Sequence, residues 1–199
     1  MEPHVPVQEQ GARSDTASHQ EFDTFNAAAE FYQAVCSRLL DVNHWKEISK
    51  GLSAAFRLTD GVGNLKEGDP EVGDHFCISI PGPGNKAGDG FDWVQVEVAE
   101  RQENVQAGEA CTLLRVRPCE SPISPSGTAH FFDSSATSTF LVRLKGNKVS
   151  AEVHGRNEKP NTNAPAVRDK VRNSLVSTGA AAGMSAIQWK NLTDGLVAM

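Results

Sequence analysis

The residues with the richest chemistry stand in two short polar stretches near predicted strands. His130–Asp133 reads HFFD and places two titratable groups beside aromatic rings. Residues 155–161 read GRNEKPN and carry Arg156 and Glu158. A histidine or carboxylate there could act as a general base, and the guanidinium fork could clamp a carboxylate or phosphate. The alternative is that both stretches are ordinary polar loops in which Arg156 and Glu158 pair with each other.

Patterns typical of metal, nucleotide or nucleophile sites are absent from the sequence. There is no H-E-x-x-H, no G-x-S-x-G, and Gly82-Pro-Gly84 lacks the rest of a dinucleotide loop. No C-x-x-C pair occurs, so we expect buried, reduced thiols at the four cysteines, Cys36, Cys77, Cys111 and Cys119. The sequence therefore predicts no metal and no cofactor.

Composition excludes several classes of partner. The 199 residues are 39% hydrophobic and 22% charged, which is typical of a globular chain. The net charge of −6 argues against nucleic acid and against an anionic membrane surface. The N-terminus has no secretory pattern, and no apolar stretch approaches the ~18 residues of a membrane span. We expect a soluble, cytoplasmic protein, either a monomer or a homodimer.

The chain divides into an arm and one domain. Residues 1–19 show no hydrophobic period and are predicted to form a disordered N-terminal arm. Residues 20–199 are predicted to form a single α+β domain. Its first element is a helix from Glu21 to about Ser49, with a break near Asp41 and a second short helix from Trp45. Apolar residues recur there every three or four positions: Phe22, Phe25, Ala29, Tyr32, Cys36 and Leu39.

Strands follow, with apolar residues at every second position. We expect strands near 55–59 and 76–80, and an antiparallel hairpin of 93–101 with 110–117. On the first arm of that hairpin, Val94, Val96 and Val98 are predicted to share one face.

The segment 140–154 predicts a second hairpin together with its register. Gly146 and Asn147 fit the positive φ angles of a two-residue turn. If Lys145 pairs with Lys148, three apolar pairs fall on one face: Leu144–Val149, Val142–Ala151 and Phe140–Val153. A slip by one residue would destroy this agreement.

Helical patterning returns after residue 163. Pro165 fits a first turn, Gly179 and Gly183 indicate a break, and Ser185 could cap a last helix that carries Trp189. A run of strands between helices favours an α+β fold: a curved antiparallel sheet of about five to seven strands, flanked by N-terminal and C-terminal helices.

This order resembles the START-like (SRPBCC, helix-grip) superfamily. The likeness rests on Trp45–Ile48, on the strands from Phe76 to His154 and on the helical region 164–199. It implies a deep apolar cavity between sheet and long helix, used for lipids, polyketides or other hydrophobic molecules. Two features depart from the pattern: the first 20 residues show no strand, and the glycines interrupt the last helix. No catalytic motif can be carried over.

Three functions stay open. The first is a binding module for a hydrophobic small molecule, with a pocket of several hundred Å³ between sheet and helices. The second in rank is a protein–protein interaction or homo-oligomeric domain. The third is an enzyme (cyclase, isomerase or hydrolase) whose site is assembled from His130, Asp133, Arg156 and Glu158. The candidate ligand-binding residues are Trp93, Phe76, Phe140, Val142, His130, Arg156, Glu158 and Trp189.

Overall fold

The described structure is an antiparallel sheet with helices from both ends of the chain. A computed structural model describes residues 4–49, 54–80, 84–104, 108–163, 173, 174, 176 and 185–199. The helices are α1 (Phe25–Leu40), α2 (Trp45–Ile48) and α3 (Ser185–Leu196), and the strands are β1 (Ala12–Glu21), β2 (Ala55–Thr59), β3 (His75–Ser79), β4 (Asp92–Asn104), β5 (Glu109–Pro118), β6 (Thr137–Lys145) and β7 (Lys148–Glu158). The α+β class and the flanking helices are confirmed. The predicted helix start near Ala164 and the glycine break lie outside the described residues.

The seven strands form one sheet in the order β1-β7-β6-β5-β4-β3-β2. Strands β2 to β7 run as a meander, and β1 returns to pair with β7. We call the face toward α1 and α2 the inner face, and the opposite one the outer face.

The prediction of a disordered arm over residues 1–19 is wrong from residue 12 onward, because Ala12–Glu21 forms a strand that pairs with β7 over most of its length. The strand was missed because its inward side chains are polar, so it lacks the apolar alternation that marks a strand. Ser18, for example, faces α3 and hydrogen-bonds Thr193 and Asp194. From the sequence we expect no strand in the first 20 residues, and β1 corrects that expectation.

Helix α1 forms where the sequence predicts one. Thr24 caps it by accepting a hydrogen bond from the N–H of Ala27 at 3.3 Å. Its buried residues recur every three or four positions and face the sheet: Ala28, Tyr32, Val35, Cys36 and Leu39. A 3₁₀ turn at Val42–His44 then leads into α2, as the predicted break requires.

The inner face holds the main core, centred on Trp45. The Trp45 ring lies 4.9 Å from the Phe140 ring, 5.3 Å from Phe56 and 5.7 Å from Phe76. The indole N–H donates to the carbonyl of Leu39 at 3.0 Å, so the buried polar group is satisfied. Because α1, α2, α3 and six strands contribute to this cluster, it fixes the helices on the sheet.

The register predicted for the 140–154 hairpin is confirmed at every pair. One detail differs: Gly146 has φ 57°, whereas Asn147 does not take a positive φ. That combination fits a turn with glycine at its first central position.

The 93–101 and 110–117 hairpin is also confirmed, but it contains a β-bulge. Val96 pairs with Val116, and Val98 pairs with Arg115. The extra residue turns Val98 to the outer face, where it packs on Cys111 and Leu113. The prediction that Val98 shares the face of Val94 and Val96 is therefore wrong.

The four cysteines, all among the described residues, form no disulfides, as predicted. Three are buried, and Cys119 is partly exposed. Burial raises the pKa of Cys77 and of Cys111 to about 11, which leaves both thiols protonated and unreactive at neutral pH.

Candidate functional site

Three of the predicted pocket-wall residues lie inside the packed core. Phe76, Phe140 and Val142 are 0–1% exposed, and the Trp45 ring contacts the first two. All three belong to the same cluster of buried hydrophobic residues.

Trp93 belongs to the other face of the sheet. Phe76 pairs with Val94, while Trp93 pairs with Cys77, and successive strand residues point to opposite faces. Its indole N–H donates to the carbonyl of Gly88 at 3.2 Å, within a small cluster with Ala87 and Ala129. The structure therefore does not bring Trp93 into a pocket with Phe76.

Trp189 is the candidate wall residue that stays partly exposed. It lies on α3, with its ring 5.5 Å from Phe140 and 6.1 Å from Phe56. The core aromatic cluster thus continues through Trp189 toward the surface.

The second half of α3 is held firmly. Ser18 on β1 lies 2.8 Å from the Thr193 hydroxyl and 2.6 Å from the Asp194 carboxylate. On the opposite side, Gly195 packs directly against the backbone carbonyl of Ile48, where no Cβ atom fits. These contacts fix the helix between β1 and α2.

The first half of α3 borders an open groove against β1. The groove has a volume of about 370 Å³ and is lined by Thr16, Ala186, Ile187, Lys190 and Asn191. Ile187 is 65% exposed, which leaves a large apolar side chain unburied at the mouth of the groove. The ammonium of Lys190 bonds both Ser18 and Asp194. The lining suits an apolar molecule that carries one polar group.

The two polar groups of the HFFD stretch stabilise their own loop. The Nδ1 atom of His130 accepts a hydrogen bond from the N–H of Phe132 at 3.0 Å, and its ring stacks 4.2 Å from Phe131. A neutral His130 therefore carries its proton on Nε2. Asp133 accepts from the N–H of Ser135 at 2.8 Å, as in a turn.

Arg156 and Glu158 connect β7 to β1 and do not pair with each other through hydrogen bonds. Arg156 donates to the Asp15 carboxylate at 2.7 Å and to the Ser14 carbonyl at 3.1 Å. Glu158 accepts from the Ser14 hydroxyl at 3.3 Å, and burial raises its pKa. The HFFD loop reaches this end of β7 through the backbone bond from Asp133 to Lys159. The four candidate catalytic groups thus lie at one end of the sheet, each engaged with its own partners.

His154 is the polar centre that the sequence did not reveal. Its Nδ1 lies 2.6 Å from Asp15 Oδ1, and its Nε2 lies 3.0 Å from Glu152 Oε2. The hydrogen bond with Glu152, opposed by burial and supported by Asp15, raises the His154 pKa. Glu152 and His154 are two residues apart and so share a face, which is a usable signal, but Asp15 lies on the strand that was missed.

Among the described residues, no group of three or more histidine, cysteine or acidic side chains is placed to hold a metal ion. The same part of the chain contains no helix long and apolar enough to cross a membrane.

Comparison with known proteins returns structures but no sequence relatives. No protein-family model matches the chain, and no curated protein matches it. Ara h 8.0201 matches with 10% identity over 94% of this chain and 99% of its own, at a TM-score of 0.35. Major latex-like protein 151 from Panax ginseng matches with 12% identity over 86% and 96%, at a TM-score of 0.36. Norcoclaurine synthase from Thalictrum flavum matches with 10% identity over 90% and 96%, at a TM-score of 0.35.

These solved structures are Bet v1-like proteins of the START/SRPBCC helix-grip superfamily, the superfamily that the sequence resembles. At such TM-scores the likeness carries no argument about ligand or activity.

Proposed function

We propose that the protein binds a hydrophobic small molecule with one polar group, seated in the groove between β1 and α3. The observation that carries this proposal is the open groove of about 370 Å³, with the exposed Ile187 at its mouth. Ligand sites of small molecules fall in the range of ~300–1,000 Å³ and are mainly apolar with a few placed polar groups.

The proposed site differs from the pocket expected from the sequence. The core that Trp189 contacts contains three of the expected wall residues: Phe76, Phe140 and Val142. They would contribute to the proposed site only indirectly, through Trp189. Trp189 and Ala186 lie three residues apart on α3, so the half-buried ring is a neighbour of the groove lining. The ligand would therefore rest against the edge of the core and not inside it.

The polar end of the groove favours an anionic or hydrogen-bonding head group. Lys190 supplies an ammonium and Asn191 an amide. Since Asp194 already neutralises part of the Lys190 charge, we expect modest selectivity between a carboxylate and a neutral polar head.

Native mass spectrometry of freshly purified protein, followed by titration with a medium-chain fatty acid, tests this proposal. Ile187→Asp should weaken binding at least about tenfold, because it places a charge on the apolar wall. Val72→Asp is the matched control, since Val72 is equally exposed but lies in the β2–β3 loop. Unchanged affinity in Ile187→Asp, or equal losses in both variants, would overturn the proposal.

An apolar patch favours protein–protein interaction as a second candidate. Of the eight large apolar side chains exposed in the described residues, four lie in two loops that meet through Gly63 and Ile123: Val62, Leu65, Val72 and Ile123. Acidic residues lie in the same β2–β3 loop as three of these side chains: Asp60, Glu67, Asp69 and Glu71. A partner with apolar and basic side chains would complement it.

Sedimentation velocity of the wild type and of Leu65→Ser tests the second candidate. A dimer that Leu65→Ser dissociates would support self-association through the patch. A monomer in both cases would remove homodimerisation there. The enzymatic alternative lacks an observation of this kind, because its four candidate groups are each engaged with other partners.

A further inference from the structure

The outer face of the sheet carries buried hydroxyl groups without partners. Thr137 and Thr139 on β6 are 2% and 0% exposed, and neither Oγ1 atom has a hydrogen-bond partner. The Nε of Arg115 likewise makes no hydrogen bond, and its nearest carboxylate oxygen, on Glu97, is 3.5 Å away. Buried polar groups are nearly always satisfied, so three such atoms in one region indicate a missing occupant.

The pairing of the strands brings these groups together. Thr139 lies directly opposite Arg115 on β5 and directly opposite His154 on β7. Thr137 lies opposite Arg156. Directly paired residues have Cβ atoms about 4.5–5.5 Å apart, which places Arg115 beside Thr139. Thr137 lies two residues along the same face of β6, at a diagonal distance of about 7–8 Å from Arg115. The region between these three side chains is the space considered below.

The charges around this space favour an anion. Arg115 and Arg117 share the single carboxylate of Glu97, and Arg156 and His154 share Asp15. Around this space four guanidiniums form ion pairs with three carboxylates: Arg115, Arg117, Arg143 and Arg156 with Glu97, Glu152 and Asp15. Farther along the same face, Lys148 pairs with Glu21 one to one. This local excess of positive charge occurs on a chain whose net charge is −6.

The segment before β1 covers the space. At one end, Val5 packs on Leu113 and Leu141. At the other, the N–H groups of Glu9 and Gln10 donate to the side chain of Asn157 at 2.8 and 3.2 Å. Leu141 and Thr137 are about 13 Å apart along β6, which six residues can span. Residues 5–10 therefore lie between these two anchors, on the face that carries Thr139 and Thr137.

We propose that this space is an oxyanion site, in which the hydroxyls of Thr137 and Thr139 and the guanidinium of Arg115 hold a carboxylate or phosphate group. Two hydroxyls and a guanidinium can all donate to the same oxyanion. A water molecule would satisfy a hydroxyl but would leave the excess positive charge unmatched. Arg115 keeps 26% of its side chain exposed, which provides a path from solvent.

The test is titration of the full chain with inorganic phosphate and, separately, acetate, at constant ionic strength set by chloride. NMR follows the backbone amides of Thr137 and Thr139 and the Nε–H of Arg115. We expect saturable shifts at these three positions, with the tighter-binding anion identifying the class of ligand group.

Thr137→Val combined with Thr139→Val removes both hydroxyls and keeps their shape. It should weaken binding on the order of tenfold, since two hydrogen bonds to a charged group are lost. Thr128→Val, a loop position outside the cluster, is the matched control. Arg115→Lys keeps the charge but loses the two-pronged guanidinium, and it should also weaken anion binding. This variant provides the test if the double variant does not fold.

Two outcomes would overturn the proposal. One is the absence of saturable shifts at the three positions, which would mean that the hydroxyls bind ordered water only. The other is unchanged anion affinity in folded Thr137→Val/Thr139→Val protein.

Discussion

The two faces of the same sheet are buried by different means. The inner face is apolar and is covered by helices, with Trp45 and Phe140 at its centre. The outer face carries threonines, arginines and carboxylates between small apolar clusters. It is covered in part by residues 5–10.

Because the two faces are buried differently, we expect them to contribute differently to the free energy of unfolding and to its dependence on pH. Apolar burial is non-directional and contributes the dominant favourable free energy of folding. Buried ion pairs contribute little net stability, but their loss leaves charges uncompensated. We therefore expect inner-face substitutions to change the free energy of unfolding at every pH, and outer-face substitutions to change pH dependence, ligand response and local opening.

The largest loss of stability is expected from Trp45→Ala. Removing the central ring opens a cavity among Phe56, Phe76 and Phe140, and such truncations cost about 3–5 kcal/mol. Denaturant unfolding gives the value. Trp189→Ala is the matched control, and it should cost less because its ring is only half buried. An equal or larger loss in Trp189→Ala would contradict a core centred on Trp45.

The second-largest loss of stability is expected from Gly195→Ala, at roughly 1–3 kcal/mol. Glycine-to-alanine changes inside a helix normally stabilise, so a loss here would report the contact with Ile48. Gly61→Ala is the control, because its added Cβ would meet its nearest neighbour at an ordinary 3.6 Å. Stability equal to the wild type in Gly195→Ala would mean that α3 can move away from α2.

The sequence predicts the inner face well because one simple signal governs it. Alternating apolar residues gave the register from Phe140 to Val153 pair by pair. The β-bulge after Val96 inserts one extra residue into the alternation of the two faces. No residue type at this position indicates a bulge, so the sequence alone assigns Val98 to the wrong face.

The outer face could not be predicted in the same way, because its pairings join distant parts of the chain. Asp15 and His154 meet only once β1 pairs with β7, and β1 has no apolar pattern. Trp93 shows the same limit at shorter range. Because Trp93 and Val94 are adjacent on β4, their side chains point to opposite faces of the sheet. Only the pairing of β4 with β3 shows that Phe76 lies on the same face as Val94.

Val5→Ser should loosen the cover of the outer face and leave the inner face unchanged. Losing a half-buried apolar side chain costs about 1 kcal/mol, which corresponds to roughly fivefold more frequent opening. The readout is the labelling rate of Cys111, which Val5 helps to bury, against that of Cys36 in the inner core. Equal acceleration at both thiols would show global destabilisation and contradict a separate cover.

His154→Gln should produce the smallest change in stability, one that depends on pH. Hydrogen bonds to Glu152 and Asp15 raise the His154 pKa, so the folded state holds this proton more tightly than the unfolded state, whose value is about 6.5. The stabilisation, roughly 1 kcal/mol or less, is therefore complete below about pH 6.5 and is lost as the pH rises through the folded pKa. Stability curves of wild type and His154→Gln should converge toward high pH.

His75 provides the control of opposite sign on the same face. Burial lowers its pKa, so the unfolded state takes up the proton first, and wild-type stability falls as the pH drops below about 6.5. Relative to the wild type, His75→Gln should gain stability toward low pH, where His154→Gln loses it. Parallel curves for His154→Gln and wild type between about pH 5 and 8 would mean that the imidazole does not join β1 to β7 through its charge. The side-chain ion pairs that join β1 to β7 would then be Arg156 with Asp15 and Lys148 with Glu21.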